Sequence, residues 1–291
     1  MMNAGFSPCI RAPKARIHKR IAATSDETFR RHGKTEGRIA MDHQQFESID
    51  IAILAGGTHR FFFRGSSRTD RDVIKQIFEA EHYNLASFPL SNDLKNYADR
   101  VTADGASLLV IDAGANIGAS SFYFTQLNSR IHVCAVEPER ENFSVLKANC
   151  AGLPITPIEA AVASEAGTLW LTDPGLGEWG YRVGGAAGKL EVEAVTINDI
   201  LGKFDASRYM PLICKIDIEG GEENLFSAND GWVDQFPLII IELHDWLLPG
   251  TSNSKNFLSS IAKRNFDVVY RDENMFCFNN DLIAQHRRLK N

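Results

Sequence analysis

Leu108-Leu109-Val110-Ile111-Asp112-Ala113-Gly114-Ala115-Asn116-Ile117-Gly118 is the stretch whose reading decides the fold. Its four opening apolar residues, two of them β-branched, read as a strand buried on both faces, as in a parallel sheet. The strand ends at an acid and enters a loop of small residues, after which Ala119-Ser120-Ser121-Phe122-Tyr123-Phe124-Thr125 begins a helix. Strand, glycine-containing turn and helix make the first half of a nucleotide-binding βαβ unit, whose ligand sits beyond the carboxyl end of the strand. A dinucleotide loop carries G-x-G-x-x-G so that a pyrophosphate can approach the backbone. Here the pattern is D-x-G-x-N-x-G, with Asn116 where a glycine is expected and Asp112 at the strand end. A carboxylate repels a phosphate but tolerates a sulfonium cofactor bearing an ammonium group, so the loop favours S-adenosylmethionine over NAD.

Outward from this loop, strands and helices alternate. Arg130–Val136 reads as a second strand ending at Glu137-Pro138, followed by a helix from Arg140 to Cys150 and a third strand from Ile155 to Val162. Thr168–Leu171 and Leu190–Val195 read as the arms of a hairpin carrying a glycine-rich loop, Asp173–Lys189. Leu212–Asp217 and Pro237–Glu242 are buried strands, and a helix near Asn256–Lys263 leads to strands at Phe266–Tyr270 and Met275–Phe278. Repeated β-α-β with apolar strands implies an α/β fold, a doubly wound and mostly parallel sheet with an antiparallel hairpin at its far edge.

Upstream, Ile49–Leu54 and Arg60–Arg64 flank Gly56-Gly57, a hairpin signal. Val73, Ile74, Ile77 and Phe78 share one helical face after a Thr or Asp cap, and a second helix covers Asp93–Val101. Residues 41–105 therefore read as a small accessory lid, with His82 and Tyr83 in a turn facing a ligand, and residues 106–291 as the main domain. Residues 1–40 hold nine Lys/Arg against three acids, a net of +6, which leaves −12 for the rest of a chain whose total is −6. That leader is poor in large apolar residues and lacks the apolar core of a secretory signal, so it reads as a disordered extension. A basic arm for nucleic acid is the alternative, but no nucleic-acid partner is expected.

Apolar content of 44% and charged content of 23% are those of an ordinary globular protein, and no apolar run approaches a membrane span. The five cysteines (Cys9, Cys134, Cys150, Cys214, Cys277) never pair as C-x-x-C, which fits buried thiols in a reducing cytoplasm.

Glu137 ends the second strand 25 residues after Asp112, where a doubly wound fold places the acid that accepts hydrogen bonds from ribose hydroxyls. Asn142 and Glu159-Ala160 fall where an adenine edge would be met. Asp217 and Glu219, after the fourth strand, and Glu242 and His244, after the fifth, share the same rim. Taken singly, each has a bland reading as a helix-terminal acid or a surface residue. Taken together, so many acids and a histidine on one rim are costly unless used for ligands, protons or metal.

Val110–Gly118, Glu137-Pro138, Lys215-Ile216-Asp217-Ile218-Glu219-Gly220-Gly221-Glu222 and Glu242-Leu243-His244 resemble the FkbM family of S-adenosylmethionine-dependent methyltransferases, from about Val110 to about Phe278. The resemblance implies the class I methyltransferase fold, seven strands with the last antiparallel, and methylation of a hydroxyl oxygen. It puts Asp112, Gly114, Asn116 and Gly118 around the methionine part of the cofactor, Glu137 on the ribose, and Asp217 and Glu219 near the transferring methyl. Gly221 departs from the alanine more usual in the family, with little consequence expected.

The mechanism expected is in-line displacement, with His244 as the general base because its ordinary pKa lies near 6.5. Asp217 or Glu219 would orient it or the acceptor, a small molecule such as a sugar or polyketide. The Asp173–Lys189 loop, with Trp179, Tyr181 and Arg182, would close over the site. Three alternatives stand beside this reading: an NAD-dependent oxidoreductase, a catalytically silent cofactor-binding module, and a metal-assisted enzyme in which Asp217, Glu242 and His244 hold Mg²⁺. Metal is not the favoured reading.

Overall fold

The computed structural model of the chain describes residues 18–20, 46–54, 56–172, 182–184 and 190–284. Strands β1 (His18–Arg20), β2 (Phe46–Ala52) and β3 (Thr58–Arg64) form an antiparallel sheet. Helix α1 (Arg68–Ile74), prolonged by a wider turn over Lys75–Glu79, and helix α2 (Ser91–Val101) follow. The main sheet then begins with β4 (Ser107–Ala113), α3 (Ala119–Thr125), β5 (Ile131–Val136), α4 (Arg140–Asn149) and β6 (Ile155–Ile158). An excursion of β7 (Ala161–Val162), β8 (Gly167–Thr172), β9 (Arg182–Gly184) and β10 (Leu190–Val195) forms a separate four-stranded sheet. Helix α5 (Ile197–Gly202), β11 (Tyr209–Ile216), α6 (Glu222–Leu225), β12 (Leu238–Glu242), α7 (Lys255–Ala262), β13 (Phe266–Arg271) and β14 (Asn274–Asn279) complete the domain.

The seven main strands lie in the order β13-β14-β12-β11-β4-β5-β6. β4, β5, β6, β11 and β12 run parallel, and β14 is antiparallel to both of its neighbours. This is the doubly wound sheet with an antiparallel hairpin at its edge that the alternation of elements predicts. Its strands are buried on both faces because successive side chains alternate between two cores. Leu108 and Val110 face one core, with Val133 and Ile240, whereas Leu109 and Ile111 face the other, with Val136 and Ile239.

Three expectations need correction. The third strand is two pieces: β6 pairs in the main sheet, but β7 has left it to pair with β10, and the break at Glu159-Ala160 lies at the rim of the site. The cap of α1 is Ser67, whose hydroxyl accepts from the backbone N–H of Asp70; neither Thr69 nor Asp70 occupies the cap. Nor is the segment before residue 106 a separate lid. Ile49, Phe61, Phe63, Val73, Ile77, Leu85 and Leu94 share one continuous core with Leu108, Val110 and Phe122. Phe61, Phe78 and Phe122 meet edge to face, with ring centroids 5.6 to 6.1 Å apart.

The hairpin of β8 and β10 forms in the expected antiparallel register, Leu171 opposite Leu190. Trp179 and Tyr181, expected to close over the site, lie outside the described residues, and of Arg182 only the backbone of β9 is described. The leader likewise lies outside them apart from β1. Cys134, Cys150, Cys214 and Cys277 are buried free thiols, and Cys9 is not described. Among the described residues no helix is long and apolar enough to cross a membrane.

Candidate active site

A cavity of about 480 Å³ runs along the carboxyl ends of β4, β5, β11 and β12, within the range of small-molecule sites. Its position follows from the topology: the order turns back between β4 and β11, leaving a crevice beyond the strand ends. Gly114, Asn116, Glu137, Asn142 and Ala160 line one half. Asp217, Glu219, Glu242, His244 and Trp246 line the other, and Val73, Gln76, Ile77 and Tyr83 reach in from the N-terminal segment.

Asp112 does not line this cavity. It is fully buried beneath the floor, where Oδ2 accepts from the Ser120 and Ser121 hydroxyls at 2.6 Å each and Oδ1 lies 3.2 Å from Lys215 Nζ. β4 and β11 pair Asp112 directly with Lys215, so a charged pair crosses the middle of the sheet. Lys215 also donates to the carbonyl of Gly114 at 2.7 Å and lies 3.4 Å from Asp217. Burial alone would lower its pKa, but Asp112 and Asp217 hold it well above the usual lysine value. The expected contact of Asp112 with the cofactor is thus replaced by a supporting one: through Lys215 it fixes the loop that does line the site. Sequence reasoning quoted Lys215 without a role; a lysine within Ile-Cys-Lys-Ile was the available signal.

Gly114 and Gly118 belong to the loop for different reasons. A Cβ on Gly114 would lie 1.7 Å from the carbonyl oxygen of Asp217, and its φ is +79°, so only glycine lets the loops after β4 and β11 touch. Gly118 is the left-handed residue before α3; it lies behind the loop near Leu146 and not on the cavity wall. Asn116, at φ +49°, presents a buried Oδ1 with no hydrogen-bond partner among the described residues.

Glu137, the acid expected on the ribose, lines the cavity. Its Oε2 accepts from the Asn116 N–H and its Oε1 from the Glu139 N–H, both at 2.9 Å, leaving lone pairs for two further donors. Burial pushes its pKa up to about 7, against those two backbone donors. Asn142 lines the cavity with its Oδ1 taken by Arg64 at 2.7 Å and its amide donating to Glu137. Ala160 lines the wall; Glu159 is exposed outside it and is withdrawn as a contact residue.

At the other end His244 sits among four carboxylates. Its Nδ1 is 2.7 Å from Glu222 Oε1, and its Nε2 is 3.4 Å from Glu219, 3.5 Å from Glu242 and 3.7 Å from Asp217. Burial works to lower its pKa, but the bonds to Glu222 and Glu242 and the charge of Asp217 raise it to about 11. Among these carboxylates the imidazole favours its charged form, so the general-base role expected from its ordinary pKa would require that proton to be lost first. Glu219, raised to about 8 by burial and by the Asp217 charge, faces the cavity from a left-handed backbone, φ +51°, the kind of strain found at functional sites. Glu222, quoted in the motif but given no role, is fully buried and also accepts from the Asn253 amide. Gly221 has an ordinary φ of −78°, and a Cβ there would crowd Ile218, the nearest atom lying 3.1 Å away.

A sequence profile of the methyltransferase FkbM domain matches residues 112–268. Methyltransferase sdnD of Sordaria araneosa is 25% identical over 193 residues, 54% of this chain and 68% of that protein. Among solved structures, the precorrin-6y C5,15-methyltransferase of Geobacter metallireducens GS-15 has a TM-score of 0.34 and 12% identity, covering 63% of this chain and 85% of that one. The plantazolicin methyltransferase BpumL in complex with SAH has a TM-score of 0.35 and 10% identity, covering 74% of this chain and 91% of that one.

Proposed function

The chain belongs to the FkbM methyltransferase family, and from that premise we propose that it carries a methyl group from S-adenosylmethionine to a hydroxyl oxygen of a small-molecule acceptor. The observation that carries this reading is the polarity of the cavity: a buried acid with spare lone pairs, Glu137, at one end and a carboxylate cluster at the other. Glu137 suits the ribose hydroxyls, and the unpartnered Asn116 Oδ1 suits a donor such as an ammonium group. S-adenosylmethionine, when bound, supplies an electrophilic methyl with its leaving group attached.

The residues on the acceptor side have to orient a nucleophile and take one proton. Glu219 is the group placed for the proton, since its carboxylate opens to the cavity while His244 holds the cluster from behind. Trp246, 72% exposed beside His244, offers a flat face for a ring. Gln76, bonded to Glu273, adds hydrogen-bonding groups to the same wall. Such a wall suits a polyhydroxylated acceptor more than an apolar one.

Calorimetry with S-adenosylhomocysteine and with NAD tests the cofactor: saturable binding of the first and none of the second is expected. Glu219→Gln should lower kcat by about 10²–10⁴-fold, the range for a positioned base, with S-adenosylhomocysteine affinity retained. Turnover close to wild type in that variant would remove Glu219 from the proton's path.

A further inference from the structure

We propose that His244, Asp217 and Glu242 hold a divalent cation at the acceptor end of the cavity. One oxygen from each acid and one nitrogen of His244 lie within 4.8 Å of one another. The spacing is informative in detail. Nε2 of His244, on a side chain only 1% exposed, has its nearest carboxylate oxygens at 3.4, 3.5 and 3.7 Å. Those are longer than the 2.7–3.2 Å of ordinary hydrogen bonds. A coordination shell with bonds of roughly 2.1 Å has ligand-to-ligand edges of about 3.0–3.4 Å, so the Glu242 and Asp217 oxygens, at 3.5 and 3.7 Å from Nε2, would draw in slightly around an ion. Nε2 faces the Glu242 and Asp217 oxygens at the same end of the cavity.

The second shell has the matching form. A metal-bound histidine usually passes its other N–H to a carboxylate, which fixes the tautomer and the ring. His244 does this through Nδ1 to Glu222 at 2.7 Å, and Glu222 is itself fully buried and held by Asn253. The local charge points the same way. Asp112, Asp217, Glu219, Glu222 and Glu242 are five carboxylates gathered around Lys215 and His244. One nitrogen and two carboxylates suit Mn²⁺ or Zn²⁺ better than Ca²⁺, which prefers oxygen alone.

This site deepens the methyl-transfer reading and rests on it for its purpose. A cation held by Asp217, Glu242 and His244 would supply Lewis-acid polarisation of an acceptor oxygen in the cavity. The oxygen's lone pair forms the C–O bond, the C–S electrons pass to sulfur, and the hydroxyl proton goes to Glu219, so no further reactant is required.

The test is a titration of EDTA-stripped, dialysed protein with Mn²⁺, followed by calorimetry and by the electron paramagnetic resonance of free Mn²⁺. One ion per chain is expected. Asp217→Asn and Glu242→Gln should each weaken binding at least about tenfold, and Glu222→Gln about 10–100-fold as a positioning residue. Asp217 is partly exposed, so Asp217→Asn is expected to melt with the wild type in EDTA, which separates lost ligation from lost folding. S-adenosylhomocysteine binding is measured on the same stripped samples. No saturable Mn²⁺, Zn²⁺ or Mg²⁺ binding at millimolar concentration, in protein that still binds S-adenosylhomocysteine, overturns the cation site and leaves the methyl-transfer reading standing. Cation binding that survives both Asp217→Asn and Glu242→Gln overturns it equally. Cation binding without S-adenosylhomocysteine binding supports the cation and removes the methyl-transfer reading.

Discussion

At the scale of single residues, two acids of the same motif set do different work. Asp112 is a buried charge whose partner is Lys215, so Asp112→Ala leaves the buried ammonium to the partly exposed Asp217 carboxylate, 3.4 Å away, and should cost up to about 3–5 kcal/mol of stability. Chemical denaturation checks this; a loss of cofactor affinity at unchanged stability would put Asp112 on the ligand after all. Glu137 lines the cavity and is the acid proposed for the ribose. Its folded pKa, about 7, lies above the ordinary 4.5, so between those values the folded protein holds a proton that the unfolded chain has lost. Its contribution to stability is therefore fully present below about pH 4.5 and is lost as pH rises through about 7. Ribose hydroxyls donate best to the ionised carboxylate, with Glu139 the neighbouring charge opposing ionisation. S-adenosylhomocysteine affinity should rise from about pH 6 to about pH 8, and Glu137→Gln should flatten that rise and weaken binding by about 1–3 kcal/mol. An identical pH dependence in the variant would remove Glu137 from the ribose. Both acids were legible as a pair from strand-end position and spacing. The difference in their duties was not, because it depends on which side of the strand end each carboxylate leaves, and Lys215 enters from a strand about a hundred positions away.

At the scale of elements, legibility follows how local the cause is. The loop after β4, the hairpin of β8 and β10, and the helix Arg140–Asn149 are written in contiguous residues, and they form as read. Ile155–Val162 is contiguous too, but it is divided because β10 offers a second partner for Ala161-Val162, a fact stored some thirty residues downstream. His244 was found from its place at a strand end, yet its charge state is set by four carboxylates on three different segments. The N-terminal hairpin acts on the site through one buried side chain. Arg64 grips Asp70 through two nitrogens, at 2.7 and 3.0 Å, and with the same head donates to Asn142 at 2.7 Å, tying β3 and α1 to the cavity-facing end of α4. Arg64→Ala strands the buried Asp70 carboxylate and should cost about 3–5 kcal/mol. It should also weaken S-adenosylhomocysteine binding, since Asn142 loses the contact that aims its amide. Thermal melts and calorimetry on the one variant read both effects, and a stability loss with unaltered affinity would confine Arg64 to a structural part.

At the scale of the whole molecule, the family-like region and the folding unit are not the same length of chain. The matching profile starts at Asp112, and composition alone invites a boundary near residue 106 with a detachable piece before it. The core says otherwise. One face of the sheet, carrying Leu108, Val110, Val133, Ile213 and Phe276, is covered by Ile49, Phe61, Phe63, Val73, Ile77, Leu85 and Leu94 from the N-terminal segment. Each of these large side chains is worth about 1.5–3 kcal/mol when fully buried, so losing the segment removes burial on the scale of an ordinary domain's net stability, about 5–15 kcal/mol. It also brings Val73, Gln76, Ile77 and Tyr83 to the cavity wall. A lid could be cut away and leave a folded, cofactor-binding protein; a sheet face cannot. A chain beginning at residue 106 is therefore expected to be insoluble, or to bind hydrophobic dyes without a cooperative melting transition, and to fail to bind S-adenosylhomocysteine. A soluble fragment that melts cooperatively and binds S-adenosylhomocysteine with wild-type affinity would restore the lid and place the acceptor wall on a dispensable element.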